Sequence, residues 1–160
     1  MNSTSHRLIY YEDLPMLLAH RNEEDTRKYL EYGDEITMSQ HYRWWYTIVR
    51  PDINLYRIAT SDGEAIGLIR VTDLNRTDGT ACVGCDVFSQ WRGCGLGHLV
   101  FEAACELARN KGAMKEHYLW VFQDNLRAVR IYEKAGFKKT DTEKEVRGRP
   151  YTQYRKPLSQ

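Results

Sequence analysis

The sequence predicts a mixed α/β (α+β) fold, in which about four helices pack against a mostly antiparallel sheet of about seven strands. Two Asp-Gly pairs, Asp62-Gly63 and Asp78-Gly79, separate three consecutive β-like runs, the pattern of an antiparallel meander. A long stretch with helical spacing, Leu96 to Ala108, follows at once. An apolar aromatic run, a capped helix and a final hairpin complete the order βα, α, βββ, α, β, α, ββ.

Taken in order, Arg7 to Tyr11 reads as a short strand. Glu12 to Asn22 reads as a helix, because Leu14, Leu17 and Leu18 share one face. Ser39 is a plausible cap for a second helix running to Val49. Asn54 to Thr60, Ala65 to Val71 and Thr80 to Phe88 form the meander, since Asp-Gly supplies the positive φ angles that tight hairpins require. In the next helix Leu96, Leu99, Val100, Ala103, Ala104, Leu107 and Ala108 hold one stripe, and Gly112 stops it. Tyr118 to Phe122 is apolar throughout, as expected of a strand covered on both faces. Asn125 caps a helix bearing Ala128, Ile131, Tyr132 and Ala135 on one side, with Gly136 at its end. From Phe137 onward, a turn at Arg147-Gly148 makes the last hairpin.

A length of 160 residues suits one domain, residues 1–160, with no linker or internal repeat to divide it. The formal net charge of +1 offers no basic field for nucleic acid or for an anionic membrane surface. The polar Met1 to His6 segment lacks the apolar core of a signal peptide, and no run of about 20 apolar residues is present, so cytoplasm is the expected location. Cys82, Cys85, Cys94 and Cys105 are expected to be reduced. The C-x-x-C pair lies in a strand, where positions three apart point to opposite faces, which does not suit a metal; no metal is expected.

Chemistry concentrates in Gln90-Trp91-Arg92-Gly93-Cys94-Gly95-Leu96-Gly97, between the meander and the long helix. Its glycines let successive N–H groups turn inward, and the helix adds its unpaired donors and positive dipole end, which together suit a phosphate or pyrophosphate. Arg92 can add a charged contact. Glycine-rich turns also occur where a sharp bend is all that is needed. A Walker loop would require Gly-Lys-Ser/Thr, which is absent, and a dinucleotide fingerprint would follow the first strand of a βαβ unit rather than a meander.

Gln90-x-x-Gly93-x-Gly95 resembles the Q/R-x-x-G-x-G/A acyl-CoA pyrophosphate loop of the GNAT superfamily of acyl-CoA N-acyltransferases. Asn125-Leu-Arg-Ala128-Val-Arg-Ile-Tyr132-Glu-Lys-Ala-Gly136-Phe137 resembles the second signature of the same family, in the right order and one helix and one strand away. The likeness is firm over Thr80 to Phe137. His20-Arg21-Asn22, His41-Tyr-Arg-Trp44-Trp45 and Arg147-Gly-Arg-Pro-Tyr151 are similar to the group containing ribosomal-protein N-terminal and nucleotide-amino-sugar acetyltransferases.

The resemblance implies a sheet splayed between its fourth and fifth strands, with the pantetheine arm of acetyl-CoA in the gap. The expected cofactor contacts are Val87, Phe88, Gln90, Arg92, Gly93, Cys94, Gly95, Leu96, Gly97, Asn125 and Tyr132, with an amide near Val87 or Phe88 holding the thioester carbonyl. It also implies direct attack by an amine, with Tyr132 protonating the departing thiolate. A phenol with an ordinary pKa near 10 is protonated at neutral pH and can serve that role; an aromatic residue on an amphipathic helix is otherwise usually core. Asp86 is the nearest carboxylate for a base, because Thr80, Ala81, Cys82 and Val83 stand where many relatives carry an acid. An amine of pKa near 10.4 is neutral in about one molecule in 2,500 at pH 7, a cost of about 4.6 kcal/mol, against about 1.4 kcal/mol near pKa 8. The absence of a dedicated acid favours the less basic amine. His41, Trp44 and Trp45 are expected in the acceptor pocket. The expected partner is a small-molecule amine such as a nucleotide-linked amino sugar, with a protein N-terminus, an aminoglycoside or a polyamine as the alternative acceptors, the chain acting as a monomer or as a homodimer through its C-terminal strands. A non-catalytic acyl-CoA sensor is the alternative of another class.

Overall fold

The computed structural model describes residues 4–159; Met1–Ser3, the start of the polar N-terminal segment, and Gln160 lie outside them. Seven strands, β1 (Thr4–Leu8), β2 (Leu55–Ser61), β3 (Glu64–Asn75), β4 (Thr80–Val87), β5 (Glu116–Phe122), β6 (Lys138–Val146) and β7 (Arg149–Pro157), form one sheet. Their order is β1-β2-β3-β4-β5-β7-β6. Only β4 and β5 run parallel.

Both Asp-Gly signals fall in turns, but in the second, Asp78-Gly79, only Gly79 has a positive φ, 70°. Asp62 and Gly63 have φ of 51° and 83°, and Arg147 and Gly148 have 51° and 72°, the paired positive values of a tight hairpin. β1 begins and ends three residues earlier than the sequence predicts. Tyr11–Asp13 instead forms a short 3₁₀ turn into α1 (Leu14–Asn22), fixed by Asp13, which accepts from the Tyr10 amide and pairs with Arg7. A short α2 (Glu24–Arg27), too brief to show periodicity, follows. α3 (Met38–Trp44) is capped by Thr37 rather than Ser39. Thr37 Oγ1 accepts from the Gln40 amide at 3.2 Å while Gln40 Oε1 accepts from the Thr37 amide at 2.8 Å, a reciprocal box visible in Thr37-x-x-Gln40. The helix continues through a wider π-type turn to Val49.

Two apolar layers hold the sheet. On one face α4 (Gly97–Asn110) buries Val100, Phe101, Ala103, Ala104, Leu107 and Ala108, the i, i+3, i+4, i+7 stripe expected of it, and α5 (Leu126–Lys134) lies beside it. On the other, Leu14 and Leu17 of α1 and Val49 pack on Ile58, Leu68 and Phe88. Fully burying one such aliphatic side chain contributes roughly 1.5–3 kcal/mol.

β4 and β5 are paired only over Thr80–Cys82 and Glu116–Tyr118. Beyond these three pairs the two strands diverge, and a cleft of about 920 Å3 opens between them and runs through the sheet from one face to the other.

Candidate active site

After β4, a 3₁₀ turn over Ser89–Trp91 leads into the glycine loop. Gly93 and Gly95 have φ of 76° and 75°, a left-handed conformation that side-chain-bearing residues adopt only with strain. The amides of Trp91 and Arg92 turn back onto the carbonyls of Phe88 and Ser89 at 2.9 and 3.2 Å. Among the described residues, no hydrogen bond is recorded from the amides of Gly93, Cys94, Gly95 or Leu96. Leu96 caps α4 without a side-chain bond, so the positive end of the helix stands beside these donors. A row of uncommitted N–H groups at a helix start suits a pyrophosphate. Gln90 and Cys94 are exposed at the rim, while the Leu96 side chain is buried and can offer only its main chain. At Gly97 a Cβ would stand 2.6 Å from Ile131 Cδ1, so the missing side chain lets α5 approach the loop.

Two of the expected cofactor contacts already have partners within the protein. The Phe88 amide donates to the Ile66 carbonyl at 2.9 Å and its ring is buried, which removes it as a free donor to a thioester. Antiparallel alternation then turns the main chain of Val87 the other way, toward the gap, where its carbonyl accepts from Arg92 Nε at 3.2 Å. Val87 is therefore the position with an amide facing the cleft. Arg92 lines the cleft, and its side chain is held by protein groups. Its guanidinium also donates to Thr26 Oγ1 at 3.0 Å and stands 3.8 Å from Glu23, tying the loop to α2.

Successive residues of β4 face opposite sides of the sheet. Cys85 points to the α4/α5 face, against Tyr132; Asp86 points to the α1 face. Tyr132 is buried, with its ring 4.8 Å from that of Phe101. Its hydroxyl has no recorded partner, yet it is not among the sealed unpaired polar atoms, so it opens onto the cleft that Tyr132 lines. Burial, then the nearness of Cys85, raises the phenol well above its ordinary pKa; burial likewise pushes the Cys85 thiol up to about 12. Asn125 Oδ1 accepts from the Ala128 amide at 3.4 Å, capping α5, and its residue also lines the cleft.

On the acceptor face, Asp86 Oδ2 takes Arg70 Nη1 at 2.9 Å and His20 Nε2 at 3.4 Å. Burial opposes ionisation of Asp86, but Arg70 and His20 outweigh it and hold the carboxyl below the usual carboxylate range. Such a carboxylate is a weak proton acceptor and a good seat for a cation. His41 and Trp44 line the same end of the cleft, stacked with centroids 5.0 Å apart. His41 is 3% exposed, and burial lowers its pKa, so it is a neutral core histidine at its edge. Trp45 does not reach the cleft. One helical step from Trp44, it turns outward to Tyr11 and Tyr42.

An irregular strap, residues 28–36, closes the acceptor end. Arg21 holds the carbonyls of Tyr32 and Asp34 from α1, and Asn22 makes a two-way bond with Ile36. From the opposite arm, Arg147 Nη2 donates to the carbonyls of Arg27, Lys28 and Leu30 at 3.2, 3.0 and 2.7 Å, and Arg149 reaches Lys28 while pairing with Asp124. The strap thus joins the two arms of the splayed sheet above the cleft.

The sequence model of the acetyltransferase (GNAT) family matches residues 16–137. The chain belongs to that family. Membership makes it an acetyl-CoA-dependent N-acetyltransferase. Solved structures share the GNAT fold over nearly the whole chain. A spermidine N-acetyltransferase from Vibrio cholerae, in complex with CoA and spermine, superposes with a TM-score of 0.88 at 15% identity, covering 98% of this chain and 96% of that one. The aminoglycoside acetyltransferase AAC(6')-Ib, in complex with coenzyme A, gives 0.80 at 22% identity, covering 97% and 95%. A domain from Methanocaldococcus jannaschii gives 0.79 at 20% identity, covering 98% and 99%. No match was found among curated protein sequences.

Sequence reasoning missed Arg70, His20 as a partner of Asp86, and the strap. A cue for Arg70 exists: it is a lone charge inside the apolar run Ala65-Ile-Gly-Leu-Ile-Arg70-Val, and charges rarely sit there without a partner. The strap has no periodicity from which to read it.

Proposed function

We propose that the acceptor is a small-molecule primary amine, with a nucleotide-linked amino sugar as the first choice, acetylated by direct attack within this one cleft. The observation that carries the reading is the pairing of the carboxylates around the acceptor end. Asp86 is matched by Arg70, Glu31 by Lys144 at 3.0 Å and Asp124 by Arg149 at 2.7 Å. Of the acids lining the cleft, only Asp25 has no ion pair among the described residues. A polycation such as spermine or an aminoglycoside, the ligands named for the structural neighbours, gains most from several uncommitted carboxylates. A singly charged amine on a neutral or anionic body needs one.

Acetyl-CoA supplies an activated carbonyl carbon and a sulfur that can leave. The loop amides from Gly93 to Leu96 hold its diphosphate, with Gln90, Cys94 and Gly97 around them, and Asn125 lies along its arm. The Val87 amide receives the carbonyl oxygen as charge grows there. Asp86 seats the acceptor's ammonium, which reaches the reaction as free amine after giving its proton to water. Tyr132 donates its hydroxyl proton to the departing sulfur, and the second proton that the nitrogen sheds as the amide forms passes through water back to the Tyr132 oxygen. Its raised pKa does not forbid this, because the same burial that lifts Cys85 to about 12 also makes a thiolate in the cleft more basic. His41 and Trp44 wall the acceptor; no metal takes part. The whole chain, residues 1–160, works as one domain in the cytoplasm, as a monomer or homodimer.

The test is thiol release from acetyl-CoA with a panel of nucleotide amino sugars, aminoglycosides, polyamines and N-terminal peptides. Turnover of the amino sugars at a kcat/KM at least tenfold above spermidine is expected. Preference for spermidine or an aminoglycoside would overturn the acceptor reading, and thiol release with none would favour the sensor.

A further inference from the structure

The Arg70–Asp86 pair is joined through one atom on each side. Nη1 meets Oδ2 at 2.9 Å, and Oδ2 also takes His20 Nε2, so both donors converge on the same oxygen. Asp86 Oδ1 and the Nε and Nη2 groups of Arg70 have no recorded partners among the described residues. None of them is among the sealed unpaired atoms, and both residues line the cleft. A bidentate pair, the favoured geometry for an isolated arginine and carboxylate, would have occupied both oxygens. The offset comes from two features. His20, 5% exposed, holds Oδ2, and Gly84 lies beneath the guanidinium, where a Cβ would stand 3.0 Å from Nη2. Leu68 opposite Asp86, and Arg70 opposite Gly84, put both charged groups on the α1 face of the sheet.

We propose that Arg70 and Asp86 form a two-point receptor for an amine with an oxygen on the neighbouring carbon, as in a vicinal amino alcohol, an amino sugar or an amino acid. Asp86 Oδ1 accepts an N–H of the amine, and the free N–H groups of Arg70 donate to the neighbouring hydroxyl or carboxylate oxygen. This rests on the chain acetylating small amines, and it narrows the acceptor to a class that alkyl polyamines do not belong to. Arg70 and Gly84 are then specificity residues, and His20 is a positioning residue that keeps the second carboxylate oxygen free.

The experiment compares trans-2-aminocyclohexanol with cyclohexylamine, in wild type and in Arg70→Lys, which keeps the positive charge but has no second arm. Comparing the amino-alcohol preference between the two proteins cancels the difference in amine basicity. The variant is slower on both, and the preference in kcat/KM is expected to fall by about ten- to a hundredfold, the size of one hydrogen bond to a charged donor. Gly84→Ala, which displaces the guanidinium without removing it, lowers the preference in the same direction and guards against a folding defect in the first variant. An unchanged preference in both variants overturns the receptor while leaving acetyl transfer to small amines in place. A wild type that releases no thiol with either amine overturns both.

Discussion

At the scale of single residues, the site divides its work between neighbouring positions of one strand. Cys85 and Asp86 differ by one place in the chain and by a whole face of the sheet, so in the proposed mechanism the leaving sulfur and the attacking amine lie on opposite sides of β4. Tyr132 faces the first of these. Its hydroxyl has no partner among the described residues, and burial keeps it protonated throughout the physiological range. Tyr132→Phe removes the proton donor and keeps the packing against Phe101. The expected result is a loss in kcat of about a hundred- to ten-thousandfold, the usual worth of a positioned acid, with the calorimetric Kd for acetyl-CoA unchanged. Unaltered turnover would show that the sulfur is protonated by something else. These residues were legible to different degrees. Tyr132, Asn125 and the loop stand out because a local signature carries them, whereas Phe88 lies before the loop signature and Arg92 at one of its unspecified positions, and both are engaged elsewhere. Which way an amide points, or what a long guanidinium reaches, depends on partners as remote as Ile66 and Thr26.

At the scale of elements, helices and strands with a regular apolar pattern or a hairpin turn were readable in the sequence, and the segments without one were not. α4, α5 and the meander follow from spacing and from Asp-Gly; the four-residue α2 and the strap over residues 28–36 have no period. The strap is held by arginine side chains on main-chain carbonyls, contacts that leave no pattern in either partner. Its far side hangs chiefly on Arg147, whose one nitrogen serves three carbonyls. Arg147→Ala should loosen that side alone. The acceptor KM is expected to rise by roughly three- to tenfold, equivalent to about 1 kcal/mol of ordering, while the KM for acetyl-CoA stays constant. Because Arg147 is exposed and only its guanidinium rests over the Phe122 ring, Tm should move by no more than about 2–4 °C. An equal rise in both KM values would mean that the hairpin supports the cofactor arm instead.

At the scale of the whole molecule, the two halves of the sheet are joined by only three β4–β5 pairs, and His117 is in the middle of them, opposite Ala81. It is fully buried, and its Nε2 is 2.9 Å from the Ala113 carbonyl while Nδ1 has no partner. His41, which has its own unpaired ring nitrogen, occupies the same position for the α3 layer. Burial lowers the pKa of both below the ordinary 6.5, with Arg109 and Lys156 adding to the effect at His117 and Arg21 at His41. The folded protein therefore binds fewer protons at these sites than the unfolded chain does as pH falls below 6.5. The stability they contribute is complete above pH 6.5 and is lost as the pH drops through the folded values. Asp86 acts in a lower window, since its stabilising charge persists to below the usual carboxylate range. Tm should accordingly decline between pH 7 and pH 5, before the carboxylates titrate. His117→Gln, which keeps a side-chain amide for the Ala113 carbonyl and cannot ionise, should flatten that decline even if it lowers Tm at pH 7. A slope as steep in the variant as in the wild type would remove His117 from the account and leave the acid sensitivity to the α3 layer.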